Sequence, residues 1–234
     1  MQLDVTSSDL EDRIQAAESV YGRVDVLVNN AGYSVLGAVE NVNVKDCTAQ
    51  MEANFIGPFR IMKAVLPGMR ARRSGTILNI SSAQGLCPSP VCGIYAASKG
   101  ALENLSESLS VEVEPFGIRV LIVEPGAFRT SFSSSTNAGY IMPSGEYAEE
   151  NHPVAKRFAL LKAYDGTAEG DPEKGAKVMF EAVTGEGEVG ELVHKGNFLR
   201  LIIGPGSWMR ADEKVQELRR TVDAQKSVAW STNF

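Results

Sequence analysis

Three residues within one short stretch have the types and the spacing that proton transfer requires. Ser82 is followed thirteen positions later by Tyr95, and Lys99 stands four positions after that tyrosine. Residues four apart share a face of a helix, so Tyr95 and Lys99 are expected to lie side by side. A phenol has a pKa of about 10, and a nearby ammonium group lowers that value toward the range useful for general acid–base chemistry. The alternative is an ordinary amphipathic helix with a solvated lysine.

Strand and helix patterns alternate around this stretch. Continuous apolar runs predict strands within 24–32, 74–82 and 117–126, and helical spacing of apolar residues predicts long helices over 44–71 and 94–116. Apolar strands that alternate with helices indicate a parallel sheet covered on both faces. The predicted fold class is therefore α/β, with a doubly wound parallel sheet that is Rossmann-like.

Other elements extend this pattern in both directions. Residues 2–5 can be read as the end of a strand, and Pro58 predicts a kink or a broken start in the helix over 44–71. Further elements are predicted after residue 170, namely a helix over 172–184, a strand within 198–204 and a charged helix over 210–229. Because no repeat or linker interrupts the chain, 1–234 is interpreted as one domain with 205–234 as its C-terminal tail.

The segment 127–170 differs in composition from the rest of the chain. It is rich in Ser, Thr, Asn, Gly, Pro and Tyr, and long irregular segments of this kind often cover an active site. We predict that it forms a lid over the substrate. Its apolar residues either form a pocket wall for a lipophilic alcohol or ketone, or simply pack the lid down; they are Phe132, Tyr140, Ile141, Met142, Tyr147 and Phe158.

Charge and composition argue against several other functions. The formal net charge is −6 with no basic stripe, which argues against nucleic-acid binding. No apolar run approaches the roughly 18 residues that span a bilayer, and the first residues do not resemble a signal peptide. Three cysteines without a CxxC pair suit a reducing, cytoplasmic location. The sequence has no cluster of Cys and His residues, so we predict no metal site.

Five motifs then occur in a fixed order along the chain. They are NNAG (29–32), Asn54 within MEANFIGPF, NISS (79–82), YAASK (95–99) and PGAFRT (125–130). In this combination the sequence resembles the short-chain dehydrogenase/reductase family, from residue 2 to about residue 130. A lone YxxxK pair arises often by chance, whereas five motifs in register are far more specific.

The resemblance implies roles for four residues in catalysis. Tyr95 would be the proton donor or acceptor, and Lys99 would tune the tyrosine and bind the ribose of the cofactor. Ser82 would orient the substrate oxygen, and Asn54 would form part of a proton relay through water. For Asn54 the alternative is a polar residue on a helix surface.

The same resemblance implies an NAD or NADP cofactor and some of its contacts. Asp4 and Val5 match the end of a strand that contacts the adenine region, and Asn30 lies near the ribose. Phe128 and Thr130 match residues that contact the nicotinamide carboxamide. Asp4 and Asn30 are alternatively turn or cap residues, which these residue types favour.

One feature of the family is missing from the sequence. The family normally begins with a strand, a glycine-rich TGxxxGxG turn and a helix, which bind the cofactor pyrophosphate. This chain lacks that motif, so the resemblance implies an N-terminally truncated domain with weakened cofactor binding. The strand within 24–30 would then be an open edge of the sheet, and residues 2–5, without sheet neighbours, would not form a strand.

Three functions follow from these observations. The first is an NAD(P)-dependent oxidoreductase that interconverts a secondary alcohol and a ketone. The second is a truncated and inactive fragment. The third is a non-catalytic subunit that pairs with a relative, because the family often forms oligomers through helices that correspond here to 44–71 and 94–116.

Overall fold

Six strands lie in the part of the chain that the computed structural model describes, residues 2–134, 138–163 and 166–233. They are β1 (Val26–Asn29), β2 (Ser34–Leu36), β3 (Gly75–Ile80), β4 (Ile118–Pro125), β5 (Ala138–Tyr140) and β6 (Arg200–Ile203). The main sheet has the order β1-β3-β4-β6 and is parallel throughout, and β2 pairs with β5 in a second parallel sheet. The predicted parallel sheet is confirmed.

Nine α-helices surround these strands in the described residues. They are α1 (Leu10–Tyr21), α2 (Val44–Met51), α3 (Gly57–Arg72), α4 (Ala83–Leu86), α5 (Gly93–Val113), α6 (Pro153–Ala163), α7 (Pro172–Thr184), α8 (Gly187–Gly196) and α9 (Pro205–Trp230). Helix α7 begins as predicted with a proline in its first turn, where a missing N–H is tolerated. Among the helices described, none is both long and apolar enough to cross a membrane.

The main sheet is covered on both faces. Successive residues of a strand point to opposite faces, so Ile77 packs toward α1, α3 and α5, whereas Leu78 packs toward α7 and α8. Both side chains are buried. This arrangement confirms the doubly wound α/β fold, and it explains why the strands are apolar throughout.

The long helix predicted over 44–71 is two helices joined by a π-helical turn at Glu52–Ile56. Pro58 lies in the first turn of α3. In a regular helix its ring would clash with the carbonyl of Asn54, four residues earlier, and a wider turn relieves that clash. The expected interruption near Pro58 is thus confirmed.

Four elements differ from the first interpretation of the sequence. Residues 2–5 form no strand, as expected without sheet neighbours, and the segment 127–170 contains β5 and α6 rather than irregular chain alone. Helix α8 begins within the glycine-rich stretch 184–190, which gives little helical signal, and α9 begins at Pro205, five residues early. The strand β1 lies at the edge of the main sheet, as predicted.

Candidate active site

Tyr95 and Lys99 lie side by side in the first half of α5. The ammonium nitrogen of Lys99 stands 5.9 Å from the centroid of the Tyr95 ring, and it donates a hydrogen bond of 2.7 Å to the backbone carbonyl of Ile80. The two side chains are only 7% and 4% exposed. Both therefore lie at the carboxyl end of β3, the edge of a parallel sheet where ligands usually bind.

Asn54 connects this helix to the loop after β1. Its amide nitrogen donates to the carbonyl of Tyr33 at 2.9 Å and to the hydroxyl of Ser98 at 3.0 Å. Its oxygen accepts a bond from the backbone N–H of Tyr33 at 3.2 Å, and Ser98 donates to the carbonyl of Tyr95 at 2.7 Å. Because Asn54 is 0% exposed, the alternative of a polar residue on a helix surface is wrong.

Gly32 lets the loop approach this network closely. A Cβ atom at this position would lie 2.8 Å from the amide oxygen of Asn54 and 3.6 Å from the ammonium nitrogen of Lys99. The first distance is shorter than any normal contact, and Asn54 is held by its own hydrogen bonds. Glycine is therefore the residue that fits where the NNAG motif passes the site.

Ser82 caps the short helix α4, and its hydroxyl accepts a hydrogen bond from the backbone N–H of Gln84 at 3.2 Å. The side chain of Ser82 also lies near enough to that of Tyr95 to lower the pKa of the phenol. The ring of Phe132 lies over the same tyrosine, with 5.8 Å between the ring centroids. A serine hydroxyl, a phenol and an apolar ring thus meet at one place.

Burial dominates the ionisation of the two central groups. It raises the pKa of Tyr95 well above its usual value, and the nearby side chain of Ser82 only partly opposes this effect. Burial also lowers the pKa of Lys99 to about 8, against an opposing effect of Glu103. The sequence predicted a lowered pKa for Tyr95; the difference arises because lysine and tyrosine are both removed from water, which disfavours the charged form of each.

Asp4 and Val5 line a cleft beside this network. The cleft has a volume of about 470 Å³ and is lined by Asp4, Val5, Thr6, Gly32, Tyr33, Ala49, Glu52 and Ala53. The carboxylate of Asp4 accepts hydrogen bonds of 2.9 and 2.8 Å from the backbone and hydroxyl of Thr6, and these bonds lower its pKa. Asp4 is therefore a turn residue that also lines the cleft, so the two interpretations of this residue are compatible.

Three more of the predicted cofactor residues, Asn30, Phe128 and Thr130, lie outside the lining of that cleft. Asn30 and Thr130 are exposed, and the hydroxyl of Thr130 accepts a bond from the N–H of Phe132. Phe128 is partly buried against the core on the α7 side. A Cβ atom at Gly170 would lie 2.9 Å from its ring, so this ring fills space between elements of the protein.

Several residues of the network were missed by sequence reasoning. Ser98 lies inside the YAASK motif, but its bonds to Asn54 and to a backbone carbonyl have no sequence signature. Phe132 was considered only as part of a lid wall. Within the described ranges 2–134, 138–163 and 166–233, no group of three or more His, Cys, Asp or Glu residues could hold a metal ion.

Comparison with known proteins identifies the family. Residues 1–140 match the family model described as short chain dehydrogenase. The chain belongs to this family of oxidoreductases. Over 149 residues it is 43% identical to the 3-ketodihydrosphingosine reductase of Bacteroides thetaiotaomicron, a match that takes in 63% of this chain and 55% of that protein. The chain thus spans little more than half the length of this relative.

Solved structures give the same result. A short-chain dehydrogenase from Streptomyces avermitilis superposes with a TM-score of 0.86 at 35% identity, covering 100% of this chain and 81% of that chain. ElxO with NADP bound has a TM-score of 0.53 at 30% identity, covering 60% of this chain and 65% of its own. Both superpositions agree with the α/β fold described above.

Proposed function

We propose that this chain interconverts a secondary alcohol and a ketone with NAD or NADP, and that Tyr95 is the general acid and base. The observation that carries the proposal is the buried pair of Tyr95 and Lys99, with the side chain of Ser82 near the tyrosine. A bound NAD(P) supplies the hydride in reduction and accepts it in oxidation. The hydroxyl of Tyr95 gives its proton to the carbonyl oxygen as the alcohol forms, and takes it back in the reverse direction.

The neighbouring residues support this proton transfer. Ser82 would hydrogen-bond the same substrate oxygen and hold it near the phenol. Lys99, still mostly protonated at neutral pH with a pKa of about 8, would favour the phenolate when Tyr95 loses its proton. Asn54 would link a water-mediated relay, and its bonds to Tyr33 and Ser98 keep the loop after β1 beside α5.

The residues that would hold the cofactor lie along the carboxyl edge of the sheet. We assign Asp4 and Val5 to the adenine region, Asn30, Tyr95 and Lys99 to the ribose, and Phe128 and Thr130 to the carboxamide. We place part of the dinucleotide in the cleft of about 470 Å³ that Asp4, Val5 and Gly32 line. We also propose that NAD or NADP binds weakly, because the sequence contains no glycine-rich turn to bind the pyrophosphate.

The proposed substrate is a lipophilic alcohol or ketone beneath the lid 127–170. Support comes from Phe132, which places an apolar ring beside Tyr95, and from the relative whose name describes it as a reductase of 3-ketodihydrosphingosine. Tyr140 and Phe158 pack edge to face with 5.7 Å between ring centroids, so these two rings hold the lid down. Of the apolar residues in the segment 127–170, we therefore propose Phe132 as the one that contacts the substrate.

The proposal is tested with the purified chain, NADH or NADPH and ketones of increasing chain length. The expected result is cofactor oxidation that is faster for the longer ketones. The Tyr95→Phe variant should lose about 10²- to 10⁴-fold in rate, whereas the control variant Tyr21→Phe, at an exposed tyrosine of α1, should retain it. Equal rates for Tyr95→Phe and the parent protein would show that Tyr95 is not the general acid and base.

We further propose that the protein is cytoplasmic and that it forms oligomers. The three cysteines are free, which supports a reducing cytoplasmic location. Self-association, or pairing with a relative, is proposed through α2 and α3 together with α5. Light scattering on the purified chain tests for self-association, and a monomer at all concentrations would contradict it.

A further inference from the structure

A buried carboxylate stands one helical turn beyond Lys99. Glu103 is only 3% exposed, and residues four apart lie on the same face of α5. One of its oxygens accepts a hydrogen bond of 2.5 Å from the hydroxyl of Ser81, and the other binds the guanidinium of Arg200 at 2.9 Å. A Cβ atom at Gly85 would overlap the carboxylate. Groups from three different elements therefore fix the position of this carboxylate.

Arg200 lies on β6 and contacts two further carboxylates. It pairs with Glu124 on β4, which is 1% exposed, and with Glu107 on α5, whose side chain is 49% exposed. Burial raises the pKa of Glu124. A buried carboxylate without a partner is unfavourable, so one guanidinium allows two acidic side chains to be buried behind the site.

The groups that act on Lys99 lie on its own helix and on β3. Tyr95 and Glu103 share α5 with the lysine, and β3 contributes the neutral carbonyl of Ile80. Arg200 of β6 binds Glu103 and also pairs with Glu124 of β4. Tyr95 is uncharged at neutral pH, because burial raises its pKa. Glu103 is the nearest of the acidic groups along the helix, and it acts against the effect of burial on Lys99.

We propose that Glu103 is a positioning residue that keeps Lys99 protonated near neutral pH, and that Ser81 and Arg200 hold Glu103 in place for this purpose. The inference rests on the proposed function for its catalytic meaning. The proposed reaction needs a positive charge beside Tyr95, yet the lysine is buried with a neutral carbonyl as its hydrogen-bond partner. A fixed carboxylate one turn away supplies the compensating charge.

The direct test follows the titration of Lys99 without cofactor or substrate. Protein with ¹³C-labelled lysine is titrated by NMR, and the Lys99 signal is assigned from its absence in a Lys99→Arg variant. In Glu103→Gln the titration midpoint of Lys99 should fall by about one to two pH units, as loss of a charge one helical turn away predicts for a buried pair. A midpoint within about 0.3 units of the parent value overturns the inference.

Glu107→Gln is the matched control. It removes a carboxylate from the same arginine, but at an exposed position one turn farther from Lys99, so the midpoint should stay near the parent value. If Glu107→Gln shifts the midpoint as much as Glu103→Gln does, the specific role of Glu103 is lost. Glu103→Met removes the same charge without leaving an unpaired amide, and it decides the question if Glu103→Gln does not fold.

Activity measurements separate this inference from the proposed function. If both are right, the pH profile of the reaction in Glu103→Gln shifts to lower pH together with the Lys99 midpoint. A shifted midpoint with full activity in Tyr95→Phe would contradict the proposed function and leave the role of Glu103 intact. An unchanged midpoint with an inactive Tyr95→Phe would contradict only the role of Glu103.

Discussion

The residues assigned to proton transfer and those assigned to the cofactor differ in how the protein holds them. Asn54 and Lys99 are buried and bonded to backbone groups of other elements. Asp4, Asn30 and Thr130 are exposed, and the recorded side-chain bonds of Asp4 and Thr130 reach only residues two positions away. The first group is therefore organised before any ligand binds, as efficient catalysis requires. The second group can adjust when a ligand arrives.

Substitution of Asn54 should have the largest effect on stability. Asn54→Leu removes three hydrogen bonds and leaves the backbone N–H of Tyr33 without the partner that Asn54 supplies. The Tyr33 carbonyl keeps its bond from Gln50, and Ser98 keeps its bond to the Tyr95 carbonyl. We expect the free energy of unfolding to fall by about 2–4 kcal/mol in urea denaturation. The control Asn104→Leu, at an exposed asparagine of α5, should change it by less than about 0.5 kcal/mol. A loss under about 1 kcal/mol for Asn54→Leu would mean that the network is not tightly held.

The buried lysine should make stability depend on pH. The pKa of Lys99 is about 8 in the folded protein and about 10.4 in an unfolded chain, so the unfolded state binds more protons between these values. Stability from this group therefore rises with pH from about 8 to 10. Relative to Lys99→Met, the parent should gain about 2 kcal/mol in the free energy of unfolding over that range. Parallel pH curves for the two proteins would show that Lys99 titrates as an exposed lysine does.

Substitution of Asp4 should have the smallest effect on stability. Asp4→Asn keeps the size of an exposed side chain, and its carbonyl oxygen can still accept a bond from Thr6. We expect the free energy of unfolding to change by less than about 0.5 kcal/mol. The dissociation constants for NAD and NADP, measured by nicotinamide fluorescence, should change by several-fold because the charge at the cleft is altered. A large loss of stability would mean that Asp4 is as tightly built in as Asn54.

Local patterns explain which parts of this fold were predictable. The strands β3 and β4 and the helix α5 follow from apolar spacing. Gly22 ends α1 with a positive φ of 76°, a conformation that glycine adopts readily. The strand β5 is three residues long and pairs with β2, about a hundred residues earlier. No local pattern encodes such a pairing, so the segment was predicted only as an irregular lid.

The candidate site shows the same limit. The motifs identified Asn54, Ser82, Tyr95 and Lys99, but the partner of Glu103 is Arg200, which is 97 residues away in the chain. The pKa of Tyr95 was predicted in the wrong direction, because its burial depends on tertiary packing that includes the ring of Phe132. Spacing shows which groups meet, whereas desolvation depends on what covers them.

The π-helical turn at Glu52–Ile56 sets the rotational phase between α2 and α3. Gln50 in α2 is fully buried and bonds Val35 and Tyr33, while Asn54 within the turn bonds Tyr33 as well. A one-residue deletion that restored a regular helix would rotate one side against the other by about 100°. Gln50 could then not keep its bonds to Val35 and Tyr33 while Ile61 and Val65 of α3 keep their places in the core, so this segment should tolerate substitution far better than any change in length.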